Sequence, residues 1–124
     1  MCRLMGYVSE KDYSISEFAG PHFADFAALS SRHCDGWGVA KLESGADSPT
    51  LVLEPSQASK SAQFKEIAEN SKSNGALLHL RWATAGLSVK EGNTHPFTHG
   101  EISFIHNGGV MPSTAMDTFI DADL

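Results

Sequence analysis

Residues 76–81 read Ala-Leu-Leu-His-Leu-Arg, a largely apolar run that follows Asn74-Gly75. Such a run reads as a buried strand, and a buried strand needs neighbours beside it and cover over its faces. The rest of the chain supplies both. Arg3 to Val8 reads as a short strand, broken into by Gly6, and 39–43 and 50–54 read as two more, joined by the turn Ser44–Pro49. Residues 102–105 form a further strand. Gly20-Pro21 is a helix entry, and Phe23, Phe26, Ala27 and Ser30 follow at helical spacing, which predicts a helix over 21–31. Ala62, Phe64, Ile67 and Ala68 predict an amphipathic helix over 59–71, ended by Asn74-Gly75. A polar loop fills 85–100, and Pro112 opens a last helical piece that runs into the chain end. Strands near enough to pair antiparallel, with helices to cover them, predict a layered α+β domain. At 124 residues the chain has room for one modest domain and one core.

Composition narrows the function. Acidic residues number 15 against 9 basic, for a net charge of -6, and no basic run occurs. That argues against a nucleic-acid groove, which needs clustered Lys and Arg. No apolar stretch approaches the length of a membrane span, and the start, MCRLMGYVSEKD, has no signal-peptide character. Two cysteines, Cys2 and Cys34, make no disulfide framework, and a reducing, cytoplasmic setting is expected.

Four short segments carry chemistry. Cys2 stands directly behind the initiator methionine. Removal of Met1 would leave a thiol and a free α-amine on one residue, a nucleophile and a base that titrates near neutral pH. In His33-Cys34-Asp35-Gly36-Trp37-Gly38 the glycines allow a tight turn into a strand, and Cys34 is expected to be a packed small residue rather than a second nucleophile. Arg81 leaves the apolar strand and is costly to bury without a partner. It would be either half of a structural ion pair or a fork for a substrate carboxylate. Asn107-Gly108, past the strand at 102–105, is either a plain turn or a side-chain amide and backbone N–H side by side, donors suited to an oxyanion. A metal site is not expected. His79, His95, His99 and His106 offer only one pair four apart, His95 and His99, with Pro96 between them, and neither a CxxC nor an HExxH pattern is present.

Taken together, Met1-Cys2-Arg3-Leu4-Met5-Gly6-Tyr7, Asp35-Gly36-Trp37-Gly38, Leu80-Arg81-Trp82-Ala83-Thr84-Ala85-Gly86, Asn93-Thr94-His95-Pro96-Phe97 and Ile105-His106-Asn107-Gly108 resemble the glutaminase domain of class II glutamine amidotransferases, which are N-terminal-nucleophile hydrolases. Order and spacing over residues 1–109 carry the likeness, and it is nearest to a small stand-alone subgroup, some of whose members cleave γ-glutamyl compounds, one of them in ergothioneine synthesis. The resemblance implies a four-layer αββα sandwich and no cofactor. It implies Cys2 as nucleophile with its own α-amine as proton relay, Asn107 and the Gly108 N–H as oxyanion donors, Arg81 for the substrate α-carboxylate, and Trp82 and Thr84 at the glutamine pocket. The Asn93–Phe97 loop would support that pocket.

The family also uses an acidic residue, in a Ser/Thr-Asp-Ser/Thr-Glu type segment, to hold the substrate ammonium. Asp117, Asp121 and Asp123 lie in no such segment. The expectation is therefore a domain over 1–124 cut at its C-terminal side, with strand edges and apolar faces left open and weak stability or activity of its own. Three readings follow: an amidohydrolase of glutamine, with ammonia released or passed to a synthase partner; a hydrolase of another γ-glutamyl amide; or a non-catalytic amino-acid-binding subunit.

Overall fold

The computed structural model describes residues 1–119. Its elements run β1 (Arg3–Tyr13), α1 (Ile15–Ala19), α2 (His22–Ala28), β2 (Trp37–Leu42), β3 (Thr50–Glu54), α3 (Ala62–Asn70), β4 (Ser73–Leu80), β5 (Phe97–His99) and β6 (Ile102–Phe104), with short 3-10 turns between some of them. The fold is α+β, with a four-stranded antiparallel sheet in the order β1-β4-β2-β3 and a separate β5-β6 hairpin.

The apolar run thus sits in β4, an interior strand flanked by β1 and β2. Register assigns its two faces. Met5 pairs with Leu78, Tyr7 with Ala76, Trp37 with Leu80 and Val39 with Leu78. These side chains point to one side, where they form a core with Ile15 of α1 and Phe64 and Ala68 of α3, and Phe23 and Phe26 of α2 pack against it. Trp37 is fully buried and meets the Phe64 ring edge-on at 5.2 Å. Each large side chain buried in this way contributes about 1.5–3 kcal/mol.

Alternation sends Leu4, Gly6 and Val8, Gly38, Ala40 and Leu42, Leu51 and Leu53, and Leu77 and His79 to the opposite face. That face is also apolar but only partly covered. The His95 carbonyl lies directly over Gly38, where an added Cβ would come within 2.2 Å of it. Farther along, Val8 is 89% exposed, and an open groove of about 200 Å³ is lined by Tyr7, Ala40 and Leu77 of the sheet and by Glu101 and Ser103 of the hairpin.

Several expectations need correction. Helix 21–31 is α2 followed by a 3-10 turn at Leu29–Ser31, and helix 59–71 is a 3-10 turn at Ala58–Lys60 followed by α3. Asn74-Gly75 does not end the helix. It lies inside β4, because β1 runs on to Tyr13 and pairs Val8 with Gly75 and Tyr13 with Ser73 across a bulge. α1 lies between the strand at 3–8 and the helix entry at Gly20-Pro21, where no element was expected. Its signal is a capping box, in which the Ser14 hydroxyl accepts from the Glu17 N–H at 3.1 Å and the Glu17 carboxylate accepts from the Ser14 N–H at 2.9 Å. The loop at 85–100 contains β5 at its end, paired with β6. The piece after Pro112 is only a 3-10 turn, Ser113–Met116. Cys34 is exposed rather than packed, since it lies on the turn between α2's 3-10 extension and β2, outside the core. Asp121 and Asp123 lie outside the described residues. Among the described residues no helix is long and apolar enough to cross a membrane.

Candidate active site

Antiparallel pairing converges the chemistry. Arg3 is opposite Leu80, and Leu80 is opposite Trp37. The residue before β1, the residues after β4 and the turn before β2 therefore meet at one end of the sheet: Cys2, Arg81–Thr84 and Asp35–Gly36. Two backbone bonds continue the ladder past the strand ends, Arg81 N–H to the Gly36 carbonyl at 2.8 Å and Asp35 N–H to the Arg81 carbonyl at 3.1 Å. Gly36 makes this turn with φ +142°, a conformation that side-chain-bearing residues rarely adopt.

The segment after β6 brings Asn107 to the same place. Its side-chain Oδ1 accepts from the Cys2 N–H at 2.9 Å, and its Nδ2 donates to the Cys2 carbonyl at 3.1 Å. Asn107 thus holds both sides of the Cys2 main chain from 105 residues away. The Cys2 Sγ accepts from the Trp82 N–H at 3.4 Å and lies 3.6 Å from the Trp82 carbonyl oxygen.

Two small adjoining cavities open beside the sulfur. One, about 190 Å³, is lined by Met1, Cys2, Trp82, Ala83, Thr84, Asn107 and Gly108. The other, about 100 Å³, shares Cys2, Trp82, Ala83, Thr84 and Gly108 and adds Arg81, Leu87, Asn93, His95 and His106. Both fall below the roughly 300–1,000 Å³ of sites that take drug-sized ligands, so they suit a small molecule. Met1 forms part of the wall of the larger one and is itself 80% exposed, so its loss widens the entrance.

Arg81 is buried without an acidic partner among the described residues. Its Nη1 donates to the Asp35 carbonyl at 3.4 Å and its Nη2 to the Ser88 carbonyl at 3.1 Å. The structural ion pair considered from the sequence is not formed there. A guanidinium has five donors and stays charged, so these two carbonyls leave it both capacity and positive charge. The imidazoles of His79 and His95 do not add to that charge near neutral pH. Burial, then the neighbouring His95, lowers the His79 pKa to about 4. Burial, then His106 and Arg81, lowers that of His95.

Cys2, Arg81, Trp82, Thr84, Asn107 and Gly108, the residues singled out in the sequence, are brought together at these cavities, and Asn93 and His95 of the supporting loop join them. Asp117 caps the end of a 3-10 turn and lines neither cavity; among the described residues their walls hold no carboxylate. Two residues of the site were not given roles. Asp35, read as part of a turn, accepts the Ala83 N–H on its carboxylate at 2.8 Å. His79, read as one residue of the buried strand, contacts the His106 carbonyl. The one available signal for His79 was a polar residue inside an apolar run.

A family model described as glutamine amidotransferases class-II matches residues 1–119. The chain is 36% identical over 80 residues to the probable glutamine amidotransferase DUG3 of Saccharomyces cerevisiae, a match covering 61% of this chain and 22% of that protein. It is 33% identical over 109 residues to a glutamine–fructose-6-phosphate aminotransferase (isomerizing) of Legionella pneumophila, covering 87% of this chain and 17% of the relative. A protein of the same name from Acinetobacter baylyi is 32% identical over 110 residues, covering 87% and 16%. The chain spans about a fifth of the length of these curated relatives.

Proposed function

Because this chain belongs to the class II glutamine amidotransferases, we propose that it is a cysteine-nucleophile amidohydrolase that cleaves the side-chain amide of glutamine once Met1 has been removed. The observation that carries this reading is the two-sided grip of Asn107 on Cys2, with Cys2 lining both small cavities and Arg81 lining the smaller of them.

Loss of Met1 turns the Cys2 N–H into an α-amine at the same position. Asn107 Oδ1 accepts a hydrogen bond from it and so aims the nitrogen lone pair. The amine accepts the thiol proton, and Sγ attacks the side-chain carbonyl carbon of glutamine. The oxyanion of the tetrahedral intermediate is met by the Asn107 amide and the Gly108 N–H. Losing one such donor costs about 2.7–4 kcal/mol of barrier. As the intermediate collapses, the carbon–nitrogen bond breaks and the amine delivers its proton to the leaving ammonia. Water then attacks the γ-glutamyl thioester, glutamate departs and the thiol regains its proton. Arg81 binds the substrate α-carboxylate, with Trp82 and Thr84 as walls. Ammonia is free to leave or to be used by a synthase partner, and the free thiols suit a reducing, cytoplasmic setting. The finer architecture we propose is the four-layer αββα sandwich. Its support is the second apolar face of the main sheet, with the β5-β6 hairpin beside it as the beginning of a second sheet.

The test is intact mass before and after 6-diazo-5-oxo-L-norleucine, a glutamine-like electrophile. The expected result is a chain lacking Met1 that gains one adduct, with none on Cys2→Ala. Retention of Met1, or an adduct that persists in the variant, overturns the proposal.

A further inference from the structure

We infer that His79 is a positioning residue for the Asn107 turn: its ring N–H holds the His106 carbonyl and thereby fixes Asn107 against Cys2. The inference rests on the reading of Asn107 and Cys2 as reaction machinery.

His79 is fully buried in β4, between Leu78 and Leu80. A buried imidazole in an apolar strand is costly unless hydrogen-bonded, and a leucine would satisfy the strand pattern equally well. Its Nε2 lies 3.2 Å from the His106 carbonyl oxygen, whereas Nδ1 has no partner among the described residues. A carbonyl only accepts, so Nε2 carries the proton. The ring is neutral near neutral pH, because it is buried and because His95, Arg81 and His106 all face it. A neutral ring has one proton, so the tautomer is fixed.

The bond has a consequence for Asn107. β6 ends at Phe104, so no strand ladder holds residues 105–107. The His106 carbonyl belongs to the peptide unit that leads into Asn107, and fixing its plane fixes where the Asn107 side chain starts. The His95 ring, 4.6 Å from that of His79, closes the other side of the imidazole. His79 therefore joins the main sheet to the segment after the hairpin at the one point where a small shift of Asn107 would matter. Misplacing a reacting or stabilising group by about 1 Å can cost about a hundredfold in rate.

The experiment compares His79→Leu, which loses the donor, with His79→Gln, whose side-chain amide places a donor where Nε2 was. Labelling of Cys2 by 6-diazo-5-oxo-L-norleucine, which needs the oxyanion donors, is measured beside labelling by iodoacetamide, which does not. His79→Leu should slow the first reagent by about ten- to a hundredfold, slow the second, which needs the thiolate but no oxyanion donor, by much less, and be rescued by His79→Gln. Equal labelling of His79→Leu and the unaltered chain by the glutamine-like reagent overturns the inference, as does proportional loss with both reagents that Gln does not rescue. Should the unaltered chain fail to react with the glutamine-like reagent, the functional reading falls, and NMR decides the positioning role separately. Proton on Nε2, and Asn107 amide signals that shift in His79→Leu and return in His79→Gln, uphold it. Unmoved Asn107 signals overturn it.

Discussion

Asp35 acts at the site without lining either cavity. Its carboxylate accepts the Ala83 N–H, its own N–H donates to the Arg81 carbonyl, and its carbonyl receives Arg81 Nη1. Residues 81 and 83 are thus gripped from one side, and Trp82 between them has its N–H directed at the Cys2 sulfur. Hydrogen bonds to a charged group are worth about 1.5–3 kcal/mol, so Asp35→Ala should lower the free energy of unfolding by about that amount. It should also slow labelling by the glutamine-like electrophile, because the Arg81–Thr84 segment loses its anchor. Asp35→Asn, which keeps an acceptor oxygen, should recover most of both. Urea unfolding and labelling rates check this, and Asp35→Ala with unaltered stability contradicts it. Cys2, Arg81 and Asn107 could be singled out in the sequence by residue type together with the family resemblance, and the structure brings them to the same pair of cavities. Asp35 and His79 could not, because what they do is set by backbone groups 48 and 27 residues away that only the fold supplies.

Among the elements, β2 and the segment before β5 meet closely at Gly38. A Cβ at Gly38 would lie 2.2 Å from the His95 carbonyl oxygen and 2.5 Å from Leu53 Cδ2. The first of these is backbone and cannot simply rotate away. Gly38→Ala should therefore destabilise the chain by about 1–3 kcal/mol, as overpacking does, and lift the His95–Pro96 segment from the sheet. A lower melting temperature together with altered His95 ring signals checks this; unchanged stability counts against the contact. The sequence revealed strands and helices where periodicity was strong, as in β3 and α3. It misled at Asn74-Gly75, where pairing with β1 overrides the turn preference of the dipeptide. α1 has only five residues, too short for a periodic pattern, and only its capping box could have announced it. The same pleat that buries Leu78 sends Gly38 and His79 to the opposite face, so the close approach at Gly38 depends on register, which a single strand does not disclose.

At the scale of the whole molecule, the site is a junction between the main sheet and the segments around the hairpin, and that junction contains imidazoles held neutral. Burial first, and then neighbouring positive charge, lowers the His79 pKa from 6.5 to about 4 and lowers that of His95 as well. The unfolded chain takes up these protons near the ordinary histidine value, whereas the folded chain resists them. Between about 6.5 and 4 the unfolded state therefore binds more protons, and the free energy of unfolding falls as pH falls through that window. Below about 4 the contribution of His79 has been lost in full. His79→Gln removes one of the two groups, so its stability should decline less steeply across the window, with the slope that remains coming partly from His95. Carboxylates also titrate toward the acid end, but they are common to both chains and cancel in the difference. Urea midpoints measured in parallel from neutral pH down to the lower edge of the window provide the comparison. An unaltered chain whose stability falls more steeply than that of His79→Gln on acidification shows that folding keeps the His79 imidazole neutral, as a fixed Nε2–H donor requires; equal slopes overturn it.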